Sequence, residues 1–301
     1  MEGSITAGPE LGTVIVGVDG SDPARGAALW AAAEAARRGK TLHIVHAADT
    51  DSRAFYASVE TIERVRAAGR ELLDDTAAAV ADLHPDLHVT TEFSRSAAVP
   101  TLRRAAGLHG TVVVGNRGLG GFTSLMLGSV GLKAAASATT PFAVVRGTDP
   151  RVETGSVLAG VRDEHDLDCV RYAACEAELR KASLWLLHVW NPLQSVGNVV
   201  SILDDVEEIS VRHAQRLTAM AGLIREEFPD LTVHADLEKS FSVAGVLAEA
   251  SQHADLLVVG GRRSPGYIGR TLGHANHSLL HHARCPVLLI PRHGNDQGSE
   301  S

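Results

Sequence analysis

Thr111-Val-Val-Val-Gly115-Asn-Arg-Gly118, then Leu127-Gly128-Ser129, then Pro141-Phe-Ala-Val-Val145: this series returns later as Leu256-Leu-Val-Val-Gly260, Leu272-Gly273-His274 and Pro286-Val-Leu-Leu-Ile290. The register is fixed, with Gly115 over Gly260, Leu127 over Leu272, Gly128 over Gly273 and Pro141 over Pro286. Working outward, Thr13-Val-Ile-Val-Gly-Val-Asp19 and Val157-Leu-Ala-Gly-Val161 open the two halves. Leu42-His-Ile-Val-His-Ala47 and Leu184-Trp-Leu-Leu-His-Val189 follow, and Leu87 to Phe93 and Leu231 to Leu237 supply a third apolar run in each. A repeat of this order and register reads as a duplicated unit.

The apolar runs are short, rich in Val, Ile and Leu, and not cleanly alternating, the pattern of parallel strands covered on both faces. Helical stretches separate them: Pro23 to Arg38, with Asp22 placed to cap its start and Gly39 to end it, and Val59 to Leu83 running up to Pro85. Leu167 to Lys181 and Ile202 to Phe228 take the same places in the second half. Strands alternating with helices imply right-handed crossovers. The expected fold is α/β, with two similar doubly wound domains, each a five-stranded parallel sheet of order 3-2-1-4-5 with helices on both faces. The expected division is a flexible tail at 1–12, domain 1 at 13–147, a linker at 148–155, domain 2 at 156–292 and a flexible tail at 293–301. Strand five of each half, Phe142 to Val145 and Val287 to Ile290, would be an apolar edge that should not be left bare.

Composition bounds the function. The chain has 301 residues, 45% of them hydrophobic and 21% charged, which is ordinary for a globular protein and excludes collagen-like or disordered classes. A net charge of −8 repels a polyanion and argues against nucleic-acid binding. Three cysteines, Cys169, Cys175 and Cys285, fit a reducing compartment better than a disulfide framework. No secretory signal and no membrane-length apolar run is visible, so the expected location is the cytoplasm.

In a doubly wound sheet, ligands sit beyond the carboxyl ends of the strands. There Gly17, Val18 and Asp19 end strand one, Ala47 ends strand two, and Val114 leads into Gly115-Asn116-Arg117-Gly118 and on to Gly128-Ser129-Val130-Gly131. Glycines at 115, 118, 120 and 121 let backbone amides approach a ligand, and Gly128-Ser129 opens a helix whose N-terminal amides favour an anion. A phosphate is the expected guest. The loop lacks the Gly-Lys-Ser/Thr of a P-loop, and it follows strand four, unlike a dinucleotide fingerprint.

At these residues the sequence resembles the universal stress protein family in its tandem form. The family's Gly-x2-Gly-x9-Gly-Ser/Thr motif is matched by Gly115, Gly118, Gly128 and Ser129, and the resemblance extends to the Val-Gly-Val-Asp-Gly-Ser opening and to Pro141-Phe-Ala-Val-Val145. The resemblance implies an ATP-binding first half, with a divalent ion, expected to be Mg2+, bridging the phosphates. Asp19 and the backbone at Ala47 and Val114 would serve adenine and ribose, and Gly115, Gly118, Gly128, Ser129 and Val130 would cradle ribose and phosphates. Gly17, Val18, Asn116, Arg117 and Gly131 complete the candidate set. Gly131 departs from the family, which usually carries Ser or Thr there. The resemblance also implies that the halves pair through their fifth strands into a pseudo-symmetric dimer within one chain. It leaves a homodimer of chains and a protein partner open.

The second half departs more. Arg162 stands where Asp19 does, Arg263 where Gly118 does and His274 where Ser129 does. Either this half is degenerate and kept for packing, the favoured reading because exposed arginines are usually solvated surface, or it takes a more anionic ligand with Arg162, Arg262 and Arg263. His274, His277, His281 and His282 share a predicted helix and read as surface or interface residues before they read as a metal site. His46 and His188 read as hydrogen-bonded core histidines. With no evident general base, magnesium carboxylate pair or arginine finger, the expected role is a nucleotide-dependent stress regulator or sensor with slow or no hydrolysis. The alternatives are a nucleotide-free scaffold or, less favoured, a nucleotidyl-transfer enzyme.

Overall fold

The computed structural model describes residues 9–54, 56–118, 127–146, 153–192, 202–261 and 272–292. Gly120, Gly121, Arg262 and Arg263 lie outside the described residues, as do the expected tails up to residue 8 and from residue 293, and the expected linker up to residue 152.

The first half runs β1 (Val14–Gly17), α1 (Asp22–Arg38), β2 (Leu42–Ala47), the short α2 (Thr50–Arg53), α3 (Val59–Leu83), β3 (Val89–Ser94), α4 (Ala98–Ala106), β4 (Thr111–Gly115), α5 (Ser129–Ala136) and β5 (Phe142–Val145). The second half runs β6 (Ser156–Val161), α6 (Leu167–Arg180), β7 (Ser183–Trp190), α7 (Ile202–Glu227), β8 (Val233–Lys239), α8 (Val243–Ala250), β9 (Leu256–Gly260), α9 (His274–His282) and β10 (Val287–Ile290). The strands lie in the order β3-β2-β1-β4-β5-β10-β9-β6-β7-β8, a single ten-stranded sheet. Each half has the 3-2-1-4-5 order, and all pairings within a half are parallel.

The halves join at one antiparallel seam, with Val287 opposite Val144, Leu288 opposite Ala143 and Leu289 opposite Phe142. Ala143 and Leu288 are equivalent positions of the repeat, so a pseudo-two-fold axis passes through that pair. Both edges are thereby covered. All four residues of β5 and of β10 are buried.

The strand pleat divides the core into two layers. Val14, Val16 and Val113 face α1, and the same layer continues through α6 and α7 of the second half. Ile15, Val112 and Val114 face the other way, with Leu102 of α4, Ala134 of α5, Leu247 of α8 and Leu279 of α9. Alanines 24, 27, 28, 31, 32 and 35 put a small-residue face of α1 directly on the sheet. The cap of α1 differs from the expected Asp22: the Ser21 side chain accepts the Ala24 amide, and Asp22 and Pro23 fill the first turn. Gly39, in the left-handed region, ends the helix as expected. No described helix is long and apolar enough to cross a membrane.

Candidate functional site

The candidate residues of the first half meet at the carboxyl ends of β1, β2 and β4. β1 ends at Gly17, and Val18, whose amide bonds the Val45 carbonyl at 2.9 Å, carries the chain to Asp19. Gly20 then turns at φ +86, a conformation that favours glycine. This delivers Ser21 back beneath Asp19. The Ser21 hydroxyl donates to Asp19 Oδ1 at 2.6 Å, the Ser21 amide reaches the same oxygen at 3.1 Å, and the hydroxyl also lies 3.3 Å from the Arg117 carbonyl. Ser21 thus ties the end of β1 to the end of β4, besides capping α1. A Ser before Asp-Pro at a strand-to-helix turn is the sequence signal for this cap.

On the β4 side, the Asn116 amide bonds the Val145 carbonyl at 2.9 Å, and the Asn116 carbonyl accepts the Gly128 amide at 3.1 Å. The chain that leaves at Gly118 therefore returns beside its own start. The two glycines of the motif are held together here: a Cβ on Gly128 would lie 3.7 Å from the Gly118 amide nitrogen. Gly115 is pressed against α1, where a Cβ would meet Pro23 at 2.6 Å and Ala24 at 2.9 Å. Gly118 lies under the Asp19 carboxylate, and a Cβ there would collide with Oδ2. Gly115 is thus required by close backbone approach, whereas at Gly118 the obstacle is the end of the Asp19 side chain.

Gly128 precedes α5 without a side-chain cap, and the first intrahelical bond runs from the Leu132 amide to the Gly128 carbonyl at 2.9 Å. The amides of Ser129, Val130 and Gly131 thus precede that bond and have no partner within the helix. Ser129 and Val130 are exposed, and Gly131 is buried. A Cβ on Gly131 would come within 2.9 Å of the Leu127 side chain, so the missing hydroxyl comes with a leucine packed over the helix start. Uncapped amides at a helix N-terminus suit an anion, and the Asp19 carboxylate suits a hydroxyl or amine donor. Ala47 stands at the end of β2, opposite Ser94 of β3, and Val114 is buried beneath the mouth.

The corresponding mouth of the second half holds its own side chains. Arg162, in the place of Asp19, turns inward: its guanidinium bonds Asp166 at 3.0 Å, the Gly260 carbonyl at 3.0 Å and the Gly261 carbonyl at 3.3 Å. Arg292 reaches Asp166 at 2.7 Å and Asp163 at 2.8 Å, and Asn276 of α9 donates to the Gly260 carbonyl at 3.0 Å. A Cβ on Gly260 would strike Asp166 and Arg162. Asp166 is fully buried; burial alone would raise its pKa, but hydrogen bonds and charge from Arg162 and Arg292 outweigh this and hold it below the usual carboxylate range. Arg162 is therefore part of an ion cluster that fills the mouth. Its side chain is tied to the protein rather than solvated as an ordinary surface arginine.

The histidines play structural parts. His46 donates from Nδ1 to the Val18 carbonyl at 2.8 Å, and His188 does the same to Val161 at 2.7 Å. His188 also meets His213 at 2.8 Å, and burial, together with His188, Arg216 and Arg212, lowers the His213 pKa. His281 is buried at the contact between the halves. Burial pushes the Cys175 thiol up to about 11 and raises Cys169 as well, which leaves both as unreactive thiols at neutral pH.

The chain is similar to known proteins along most of its length. The universal stress protein family matches the chain twice, over residues 10–146 and 154–291. Universal stress protein Rv2623 of Mycobacterium tuberculosis is 30% identical over 292 residues, covering 92% of this chain and 95% of that protein. A universal stress protein of Mycolicibacterium smegmatis is 28% identical over 288 residues, covering 92% of this chain and 96% of its own. Among solved structures, a universal stress protein from Archaeoglobus fulgidus superposes with a TM-score of 0.65 at 13% identity, covering 93% of this chain and 98% of that one. A Pseudomonas aeruginosa protein described as functionally unknown gives a TM-score of 0.64 at 15% identity, covering 94% of this chain and 93% of its own. With both halves matched and the shared fold running the length of the molecule, the chain belongs to the universal stress protein family.

Proposed function

We propose that this chain binds one ATP, with Mg2+, in its first half and works in the cytoplasm as a nucleotide-dependent regulator or sensor of stress, with slow or no hydrolysis. The observation that carries the reading is the meeting of the Asp19 carboxylate, the bare Cα of Gly118 and the uncapped start of α5 in one mouth. Asp19, with the backbone at Gly17, Val18, Ala47 and Val114, would take the nucleoside end. Gly115, Asn116, Arg117, Gly118, Gly128, Ser129, Val130 and Gly131 would offer backbone amides and the Ser129 hydroxyl to the phosphates. The bound ion would offset phosphate charge; the chain's own groups supply position rather than a base. The second mouth, filled by Arg162, Asp166 and Arg292, supports a stoichiometry of one. The ligand-dependent output would go to a protein partner, since a net charge of −8 disfavours nucleic acid.

The test is calorimetric titration of ATP with magnesium into nucleotide-stripped protein, beside Asp19→Ala and Gly118→Ala. The expected result is one saturable site per chain, weakened about tenfold or more in each variant, the scale of a lost charge-assisted hydrogen bond. Two sites would mean that the Arg162 cluster opens for ligand. No binding by the wild-type protein would overturn the nucleotide reading and leave the scaffold alternative.

A further inference from the structure

One hydrogen bond crosses from the second half into the glycine loop of the first. The Leu127 amide donates to Nδ1 of His281, on α9, at 2.9 Å. A backbone N–H can only donate, so Nδ1 is the acceptor and carries no proton. His281 is 6% exposed and Leu127 is also 6% exposed, so the bond is shielded from water. The rings of His277 and His282 lie 4.6 and 6.3 Å from that of His281, and the Arg146 guanidinium, just beyond β5, holds the neighbouring Leu280 carbonyl at 3.2 Å. The ring is therefore set in a packed contact between the two halves.

Leu127 is the residue before Gly128. Two consecutive amides at the entry to α5 are thus fixed from opposite sides, Leu127 by His281 of the second half and Gly128 by Asn116 of the first. The amides that follow, at Ser129, Val130 and Gly131, are those proposed to meet phosphate. Among the described residues the arrangement has no mirror image. In the repeat register Leu272 corresponds to Leu127, but the place of His281 is taken in α5 by Ala136, which has no side-chain acceptor. Among the described residues the brace runs in one direction, from the second half to the first.

We propose that His281 is a positioning residue for the first half's phosphate loop, holding the start of α5 through its acceptor nitrogen so that the second half sustains the affinity of the first. The inference rests on the nucleotide reading for its ligand arm, while the brace itself is readable without ligand. The experiment uses the full chain, 15N-labelled, as wild type, His281→Ala and His281→Asn, the last offering an amide oxygen close to the place of Nδ1. Two quantities are measured: hydrogen exchange of the Leu127 amide without nucleotide, and the Kd for ATP with magnesium. The expected result is that alanine speeds Leu127 exchange and weakens ATP by about tenfold each, the scale of a buried donor left without its acceptor, and that asparagine restores most of both. Unchanged Leu127 exchange in His281→Ala would overturn the brace. Faster exchange with an unchanged Kd would overturn the positioning role, as would a loss that asparagine fails to restore. A wild-type protein that binds no ATP would overturn the nucleotide reading and the ligand arm together, and Leu127 exchange would still decide the brace.

Discussion

Asp19 and Asp166 are carboxylates at equivalent mouths with opposite situations, one half-exposed beside a bare glycine and the other fully buried between two arginines. The Asp166 carboxyl has a lower pKa folded than unfolded, so its stabilising contribution is complete above about pH 4 and is lost as the pH falls through the folded value. Asp166→Asn leaves Arg162 and Arg292 without their buried counter-charge. A loss of roughly 2–4 kcal/mol is expected at pH 7, below the full cost of breaking a buried pair because both arginines keep some water. Urea unfolding of wild type and variant at pH 7 and pH 3 checks this: the gap should narrow at the lower pH, and a gap that widens contradicts the assignment. At this scale Gly115 was legible, because close approach of the α1 backbone permits only one residue type there. The inward turn of Arg162 was not. Its carbonyl partners Gly260 and Gly261 are distant in the chain, and local sequence carries no sign that Asp166, four residues on, is the buried anchor it folds back to.

At the scale of elements, the first mouth depends on how α1 begins. Ser21 caps that helix by accepting the Ala24 amide and orients Asp19 by donating its one proton to it, with the Arg117 carbonyl 3.3 Å away. Ser21→Ala is expected to cost about 1 kcal/mol of stability, the usual value for a lost N-cap, and Ser21→Thr should retain most of it. If Ser21 also orients Asp19, the alanine variant weakens ATP more than its stability loss explains, because the protein stays folded at assay temperature. Denaturant unfolding and calorimetry on the same samples separate the two effects; unchanged affinity in Ser21→Ala would confine Ser21 to the helix. Most elements were legible from their patterns. Val59–Leu83 matches its expected bounds, since a serine cap and a proline stop bracket a long amphipathic run. β3 and β8 begin two residues later than expected, at Val89 and Val233, because Leu87 and Leu231 pack on the core without joining the ladder. The helices α4 and α8 were not read at all. α4 has Pro100 in its first turn and Ala97 in place of a side-chain cap, and α8 is an apolar run of eight residues, too short for periodicity to tell it from a strand.

At the scale of the whole molecule, the seam between the halves carries a second joint beneath β5 and β10. Glu34 and Arg38 of α1 and Glu176 and Arg180 of α6 occupy corresponding places in the two halves and pair reciprocally, Arg38 with Glu176 at 2.5 Å and Arg180 with Glu34 at 2.5 Å. All four side chains are at most 5% exposed. Burial alone would raise Glu34, yet Arg180 and Arg38 outweigh it and bring its carboxyl down to about 2; burial and the Glu34 charge push Glu176 up instead. The joint is not fully satisfied, since Glu34 Oε2 and Arg38 Nε have no hydrogen-bond partner among the described residues. Two outcomes follow from the same physics. Arg180→Met removes one guanidinium from two buried carboxylates and is expected to destabilise the chain by about 3–5 kcal/mol. Replacing Glu34, Arg38, Glu176 and Arg180 together by apolar residues of similar volume removes the desolvation penalty along with the attraction. It should leave stability unchanged or raise it by about 1–4 kcal/mol. Equilibrium unfolding of wild type, single and quadruple variants decides the matter. A single variant that loses less than about 1 kcal/mol would behave like a surface pair and contradict the buried joint. A quadruple variant less stable than Arg180→Met would show that the ions, rather than the β5–β10 ladder and its apolar layers, hold the two halves together.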